Sequence, residues 1–173
     1  MKNILEWVKE IVIAVIIAAI ILTFIKPIVV RQSSMEPTFY EGNYVFISKQ
    51  AYTLFGQPER GDVIVFHTDM KDDNNNDKNL IKRVIGLPGD TVEIIGGYVY
   101  LNGELSDEPY LNEQGISGEM EKVTVPDGKL FVMGDNRGVS QDSRDVLIGC
   151  IDQESILGRV IIRLYPFDSI KTF

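Results

Sequence analysis

Residues 11–25 are apolar at every position but Thr23. With Trp7 and Val8 before them and Ile28, Val29 and Val30 after, they approach the ~20 residues that a bilayer-spanning helix needs. A run with no polar face is not the amphipathic helix of a soluble domain. Two readings remain, a permanent anchor and a cleaved secretory signal. The chain continues Phe24-Ile25-Lys26-Pro27, without the small-x-small site of a cleaved signal, so the anchor is the expectation. Trp7 would lie at the interface, with Lys9 and Lys26 bracketing the core. Lys2 and Lys9 precede the run and Lys26 and Arg31 follow it, which leaves no charge bias for orientation. The chain thus divides into a short tail (1–9), a transmembrane anchor (10–27) and a domain (28–173).

The chain has 17 Lys and Arg against 25 Asp and Glu, a formal net charge of -8 in 173 residues. That balance argues against nucleic acid as a partner. It also means that attachment to lipid must be hydrophobic rather than electrostatic. Cys150 is the only cysteine, so no internal disulfide forms, which leaves the redox compartment open. It reads as a small buried apolar residue. His67 is the only histidine and there is no Cys/His cluster, so no metal and no other cofactor is expected.

Residues 28–30 are β-branched, follow Pro27 and should be extended. Tyr44–Ser48, 62–68, 79–85, Thr91–Ile95, Tyr98–Leu101, 123–125, Lys129–Met133 and 155–165 read as strands. Turn signals separate them: Arg60-Gly61-Asp62, Pro88-Gly89-Asp90, Gly96-Gly97, Asn102-Gly103 and Pro126-Asp127-Gly128. Short strands, frequent turns and no internal repeat predict a mostly β chain. The expected fold is an antiparallel, barrel-like β domain behind one N-terminal transmembrane helix. Residues 69–79 are polar and of low complexity. They lack the central glycine and closing glutamate of a calcium loop, so a mobile, solvated loop is expected. Residues 106–118 are turn-rich and are expected to cover one side of the sheet.

Gln32-Ser33-Ser34-Met35-Glu36-Pro37-Thr38 follows directly on the anchor, and Ser34 is its candidate nucleophile. A serine hydroxyl needs a base to take its proton. His67 ends the apolar run Val63-Ile64-Val65-Phe66 and also reads as a strand-end histidine with a local partner. Lysine is the other known solution, provided that it is neutral. Lowering its pKa of ~10.4 by ~3 units costs about 4 kcal/mol at ~1.36 kcal/mol per unit, within reach of burial. Lys82 shares a strand face with Leu80 and Val84. It is either a functional base or an edge-strand charge that discourages aggregation.

Several segments, in order, carry a resemblance: the anchor, Ser34-Met35-Glu36-Pro37-Thr38, Arg60-Gly61-Asp62-Val63-Ile64-Val65-Phe66, the run 82–90, and Gly134-Asp135-Asn136-Arg137-Gly138-Val139-Ser140-Gln141-Asp142-Ser143-Arg144. Together they span nearly the whole chain, which resembles the bacterial type I signal peptidases. The resemblance implies a membrane-anchored serine endopeptidase that removes N-terminal signal peptides from exported pre-proteins after a small-x-small motif. It implies Ser34 as nucleophile and Lys82 as general base. Ser140 would hydrogen-bond the Lys82 amine, and Asp142 and Arg144 would form an ion pair beside the site. The Ser34 N–H would be one oxyanion donor. Many relatives carry serine or glycine two places before the nucleophile; Gln32 stands there in this chain, and its side-chain or backbone N–H could be the second donor.

Ile28, Val30, Met35 and Ile81 would either line shallow substrate pockets or pack the core. Strand edges beside the dyad would take an extended peptide, and Pro37 would fix the turn after Ser34. From their loop positions, Phe39 and Phe55 are expected to dip into lipid. The implied partners are signal peptides and the lipid bilayer. The implied location is the plasma membrane, single-pass, with the catalytic domain on the extracytoplasmic side. Two rival readings stand beside this one. A self-cleaving repressor-type Ser/Lys protease is disfavoured by the anchor and by the absence of a DNA-binding region before it. A membrane-anchored β domain that binds without cutting has Gln32 alone as its support.

Overall fold

The computed structural model describes residues 3–53, 56–71, 75, 77–112, 115 and 118–173. Helix α1 (Ile4–Phe24) buries none of its residues and is long and apolar enough to cross a membrane. The hydroxyl of Thr23 donates to the Ala19 carbonyl oxygen at 2.9 Å, so the helix satisfies its own polar intruder. The helix begins earlier and ends sooner than the sequence suggested: residues 4–9 join it and residues 25–27 leave it for a strand. Pro27 accounts for the end. It biases Lys26 towards extended backbone and has no N–H for a helix, while an edge strand tolerates it.

Twelve strands follow among the described residues: β1 (Ile25–Val29), β2 (Tyr44–Ser48), β3 (Val63–Lys71), β4 (Asp77–Gly86), β5 (Thr91–Ile95), β6 (Tyr98–Leu101), β7 (Glu104–Leu105), β8 (Met120–Thr124), β9 (Lys129–Met133), β10 (Ile151–Asp152), β11 (Ile156–Tyr165) and β12 (Lys171–Thr172). The larger sheet runs β1-β2-β11-β3-β4-β9-β10, with β12 on β11; the smaller runs β7-β6-β5-β8. Every pairing is antiparallel, as the alternation and the short turns require. Asn102 and Gly103, both at positive φ, make the primed turn between β6 and β7.

Three apolar clusters fill the interior. Val30, Met35, Phe39, Val45, Ile47, Val63, Val65 and Val160 form the first. Ile64, Phe66, Leu80, Val84, Leu130, Val132 and Ile151 form the second. The third joins the small sheet to the large one, bringing Val92, Ile94 and Val99 against Ile85, Phe131 and Met133. Val63–Phe66 and residues 82–86 are buried at every position, which places the centre of the large sheet under cover on both faces.

Three local expectations need correction. The polar run 69–79 is not all loop: β3 continues to Lys71 and β4 begins at Asp77. The hairpin is extended by a Lys71–Asp77 ion pair and a bond from the Thr68 hydroxyl to the Lys78 carbonyl oxygen at 2.7 Å. Residues 72–74 and 76 lie outside the described residues. Phe39 is not available to lipid. It is fully buried against Phe173, ring centroids 4.7 Å apart; Phe55 lies outside the described residues. Cys150 is half-buried against the third cluster rather than sealed within it. Of residues 106–118, positions 113, 114, 116 and 117 lie outside the described residues, and Glu108 is buried.

Candidate active site

Ser34 lies in a single 3-10 turn, Ser33–Met35. The chain enters that turn from Val30, still paired to the β2 side through Val30 N–H to Asn43 O and Gly42 N–H to Val30 O, both 2.9 Å. It leaves through the cis peptide bond Glu36–Pro37 into Phe39, whose N–H returns to Met35 O at 2.8 Å. Met35 and Phe39 are plugged into the first cluster. Their burial fixes the turn, and with it the nearly covered Ser34 side chain.

Lys82 reaches the same point from β4, opposite Ile64 of β3. Its side chain is 1% exposed, and Nζ lies 2.6 Å from Ser34 Oγ. Burial drives the amine down from its ordinary 10.5 to about 8; Asp142 and Asp135 pull it back, while Lys78 and Arg144 push it lower. Removing a cation from water disfavours its charged form, so this lysine gives up its proton well below the ordinary lysine range, at about 8.

The stretch 134–144 closes over the turn. The Asn136 N–H donates to Ser34 O at 3.0 Å, and Asn136 Nδ2 donates to Ser33 O at 3.2 Å. Gly134 packs so closely that a Cβ there would run into Ser34 O and Ser140 Oγ. Asp142 is fully buried and accepts from the Gly134 N–H at 2.9 Å. Arg144 donates Nε and Nη2 to its two oxygens, each at 2.8 Å. Burial alone would raise the Asp142 carboxyl; Arg144 and the Gly134 N–H outweigh it and hold the group below its ordinary value. The expected bond from Ser140 to Lys82 is not made: Ser140 Oγ is sealed from solvent, where it helps to hold the Asp142 carboxylate in its charged form.

A cleft of about 310 Å³ opens over the pair, lined by Arg31, Gln32, Ser34, Leu80, Lys82 and Val139 among others. Gln32 is exposed at its wall, and its side chain does not cap the Ser33 turn. The four apolar residues singled out from the sequence do not line this cleft. Val30 and Met35 are sealed in the first cluster, and Ile28 and Ile81 lean on it partly exposed. Their apolar alternation draws them to the core side. His67 is exposed midway along β3, beside Asn79 of β4 at 3.4 Å, and it does not line the cleft.

The family model described as "Signal peptidase, peptidase S26" matches residues 4–165. The chain belongs to this family. Its relatives include signal peptidase I S of Bacillus subtilis, 41% identical over 98% of this chain and 94% of that one. Signal peptidase I of Bacillus licheniformis is 38% identical over 98% and 93%. A crystal structure of a signal peptidase I from Enterococcus faecalis shares 34% identity, with a TM-score of 0.47 over 60% of this chain and 96% of that one. The chain is thus a serine-type hydrolase of the signal peptidase I kind, and the repressor-type reading is set aside. The match takes in the apolar helix as well as the β domain.

Sequence reasoning on this signal peptidase relative missed its buried ion pairs. Arg83 pairs with Asp135 at 2.6 Å and Arg137 with Glu108 at 2.5 Å, both enclosed; Arg60, itself half exposed, pairs with the buried Asp90 at 2.6 Å. Arg83, Asp135 and Arg137 all lay in the segments that carried the resemblance, yet no spacing rule pairs residues so distant in the chain.

Proposed function

We propose that the chain is a membrane-anchored serine endopeptidase that removes N-terminal signal peptides from exported pre-proteins after a small-x-small motif, with Ser34 as nucleophile and Lys82 as general base. The observation that carries this reading is the 2.6 Å approach of Ser34 Oγ to a lysine amine that burial keeps near a pKa of about 8. Neutral Lys82 takes the Ser34 proton as Oγ bonds to the scissile carbonyl carbon. The oxyanion that forms is held by the Ser34 N–H and by Gln32, each such donor contributing about 3 kcal/mol. The C–N bond then breaks, and the Lys82 ammonium returns its proton to the leaving amine. Lys82 next takes a proton from water as the water attacks the acyl-enzyme carbonyl, and passes it to Ser34 Oγ as the ester C–O bond breaks, which restores the free serine and the neutral amine. While Ser34 is an ester it cannot orient the Lys82 amine, and the Ser140 hydroxyl is the group assigned to do so. Asp142 and Arg144 keep that stretch of backbone in place.

An extended substrate has edges to join. β4 pairs with β9 only from Arg83 onward, so residues 80–82 keep one side open, and β1 is the last strand of its sheet. Adding a strand at such edges satisfies the peptide backbone of both partners. Leu80 and Val139 are the apolar residues lining the cleft, whose modest volume suits alanine-sized side chains. Anchored by α1 in the plasma membrane, the domain works on the extracytoplasmic side, a few residues from the bilayer. The test is cleavage of a synthetic signal peptide ending Ala-x-Ala by the full chain in detergent and lipid. A cut after the second alanine, reduced at least about a thousandfold in Ser34→Ala and in Lys82→Ala, supports the reading. Equal rates in the variants would sink it, as would no cut by the wild type, which would turn attention to Gln32→Ser.

A further inference from the structure

Two arginines brace the dyad from behind. Arg83, next to the base on β4, pairs with Asp135 through Nε at 2.9 Å and Nη2 at 2.6 Å. It also donates to Gly61 O at 2.8 Å and to Thr38 Oγ1, beyond the nucleophile turn, at 3.3 Å. Arg137 donates Nε to Gly134 O at 3.0 Å, at the glycine packed against Ser34 O. Both arginines are buried. Their remaining faces are closed by the segment just after β7, which does not line the cleft. Glu108 grips Arg137 with both oxygens, at 2.8 and 2.5 Å. The Tyr110 ring covers Arg83, its centroid 3.9 Å from the guanidinium carbon, and its hydroxyl donates to Glu108 at 2.7 Å.

We propose that Glu108 and Tyr110 are positioning residues of the dyad: by clasping Arg137 and Arg83 together they hold the Lys82 strand, the Ser34 turn and the Gly134 backbone in one fixed arrangement. The proposal rests on the dyad reading above. A buried arginine deprived of its carboxylate is an uncompensated charge and moves to find solvent. Arg137 would then release Gly134 O, and Gly134 has no slack against Ser34. Misplacing reacting groups by an ångström is enough to cost a large factor in rate. The clasp therefore acts on turnover, with little effect on the cleft that binds peptide.

The test compares the full chain in lipid with Glu108→Gln, Glu108→Asp, Tyr110→Phe and Ser34→Ala, on the Ala-x-Ala peptide, after thermal unfolding has shown which variants are folded. Glu108→Gln should lower kcat about tenfold or more with KM within about twofold, and Glu108→Asp should recover part of the loss. Tyr110→Phe keeps the ring and loses the hydroxyl bond, so about a threefold fall is expected. The pH midpoint of kcat should rise in Glu108→Gln as water reaches Lys82. The charges facing Lys82, namely Asp142, Arg144, Asp135 and Lys78, are all kept, so loss of fold alone would not move that midpoint. Folded variants with wild-type kcat and pH midpoint would overturn the proposal. If Glu108→Gln does not fold, Tyr110→Phe decides: a lowered kcat supports the clasp and an unchanged one refutes it. A Ser34→Ala variant as active as the wild type would overturn the dyad reading, and this proposal with it.

Discussion

At Lys82 burial and charge pull in opposite directions. Its folded pKa, about 8 against 10.5, means that the unfolded chain binds more protons between those two values. Stability therefore rises with pH across that window, and below pH 8 the full cost of a buried ammonium applies, about 3 kcal/mol at ~1.36 kcal/mol per unit. Lys82→Met should be inactive yet more stable than the wild type at pH 7 by that order, with the gap closing as pH rises from 8 to 10.5. Urea unfolding at several pH values checks this; a variant less stable at every pH would contradict it. Gly134 makes the converse case. Gly134→Ala should destabilise by about 1–3 kcal/mol, since the crowding is against backbone as well as a side chain, and should lower kcat, measured beside denaturant unfolding. Ser34 and Lys82 were singled out through the segments that carry the resemblance, since the face Lys82 shares with Leu80 and Val84 left an edge-strand charge equally open; the structure brings the two side chains to 2.6 Å. The burial of Phe39 was not legible, since Phe39 finds its cover in Phe173, at the far end of the chain.

Among elements, the regular hairpins were read best. Tyr44–Ser48, Thr91–Ile95 and Tyr98–Leu101 carry alternation, and Lys129–Met133 a short buried apolar run, each with turn chemistry within a few residues. The ends were read worse. β3 and β4 run on into polar residues because cross-strand partners such as Lys71 and Asp77 stabilise a hairpin without apolar alternation. β7, β10 and β12, two residues each, are too short to show a period. What joins the elements around the site is the Arg83–Asp135 pair between β4 and the loop after β9, with Asp135 fully enclosed. Asp135→Ala leaves that guanidinium buried without its carboxylate and should cost about 3–5 kcal/mol. Equilibrium denaturation measures it, and a loss below about 1 kcal/mol would show that Gly61 and Thr38 suffice for Arg83.

For the molecule as a whole, helix and domain are separable in packing. α1 buries no residue, so a chain of residues 25–173 should unfold within a few degrees of the full protein. On the proposed reading it should cut a soluble peptide readily and a membrane-embedded pre-protein poorly. A large fall in thermal midpoint would mean that α1 supports the domain. The central claim concerns the proton on Lys82, and the pH dependence of kcat/KM, wild type beside His67→Ala, tests it most directly. The account predicts a single ascending limb with a midpoint near 8, followed by a plateau and unchanged in His67→Ala. A limb that vanishes in His67→Ala would contradict it.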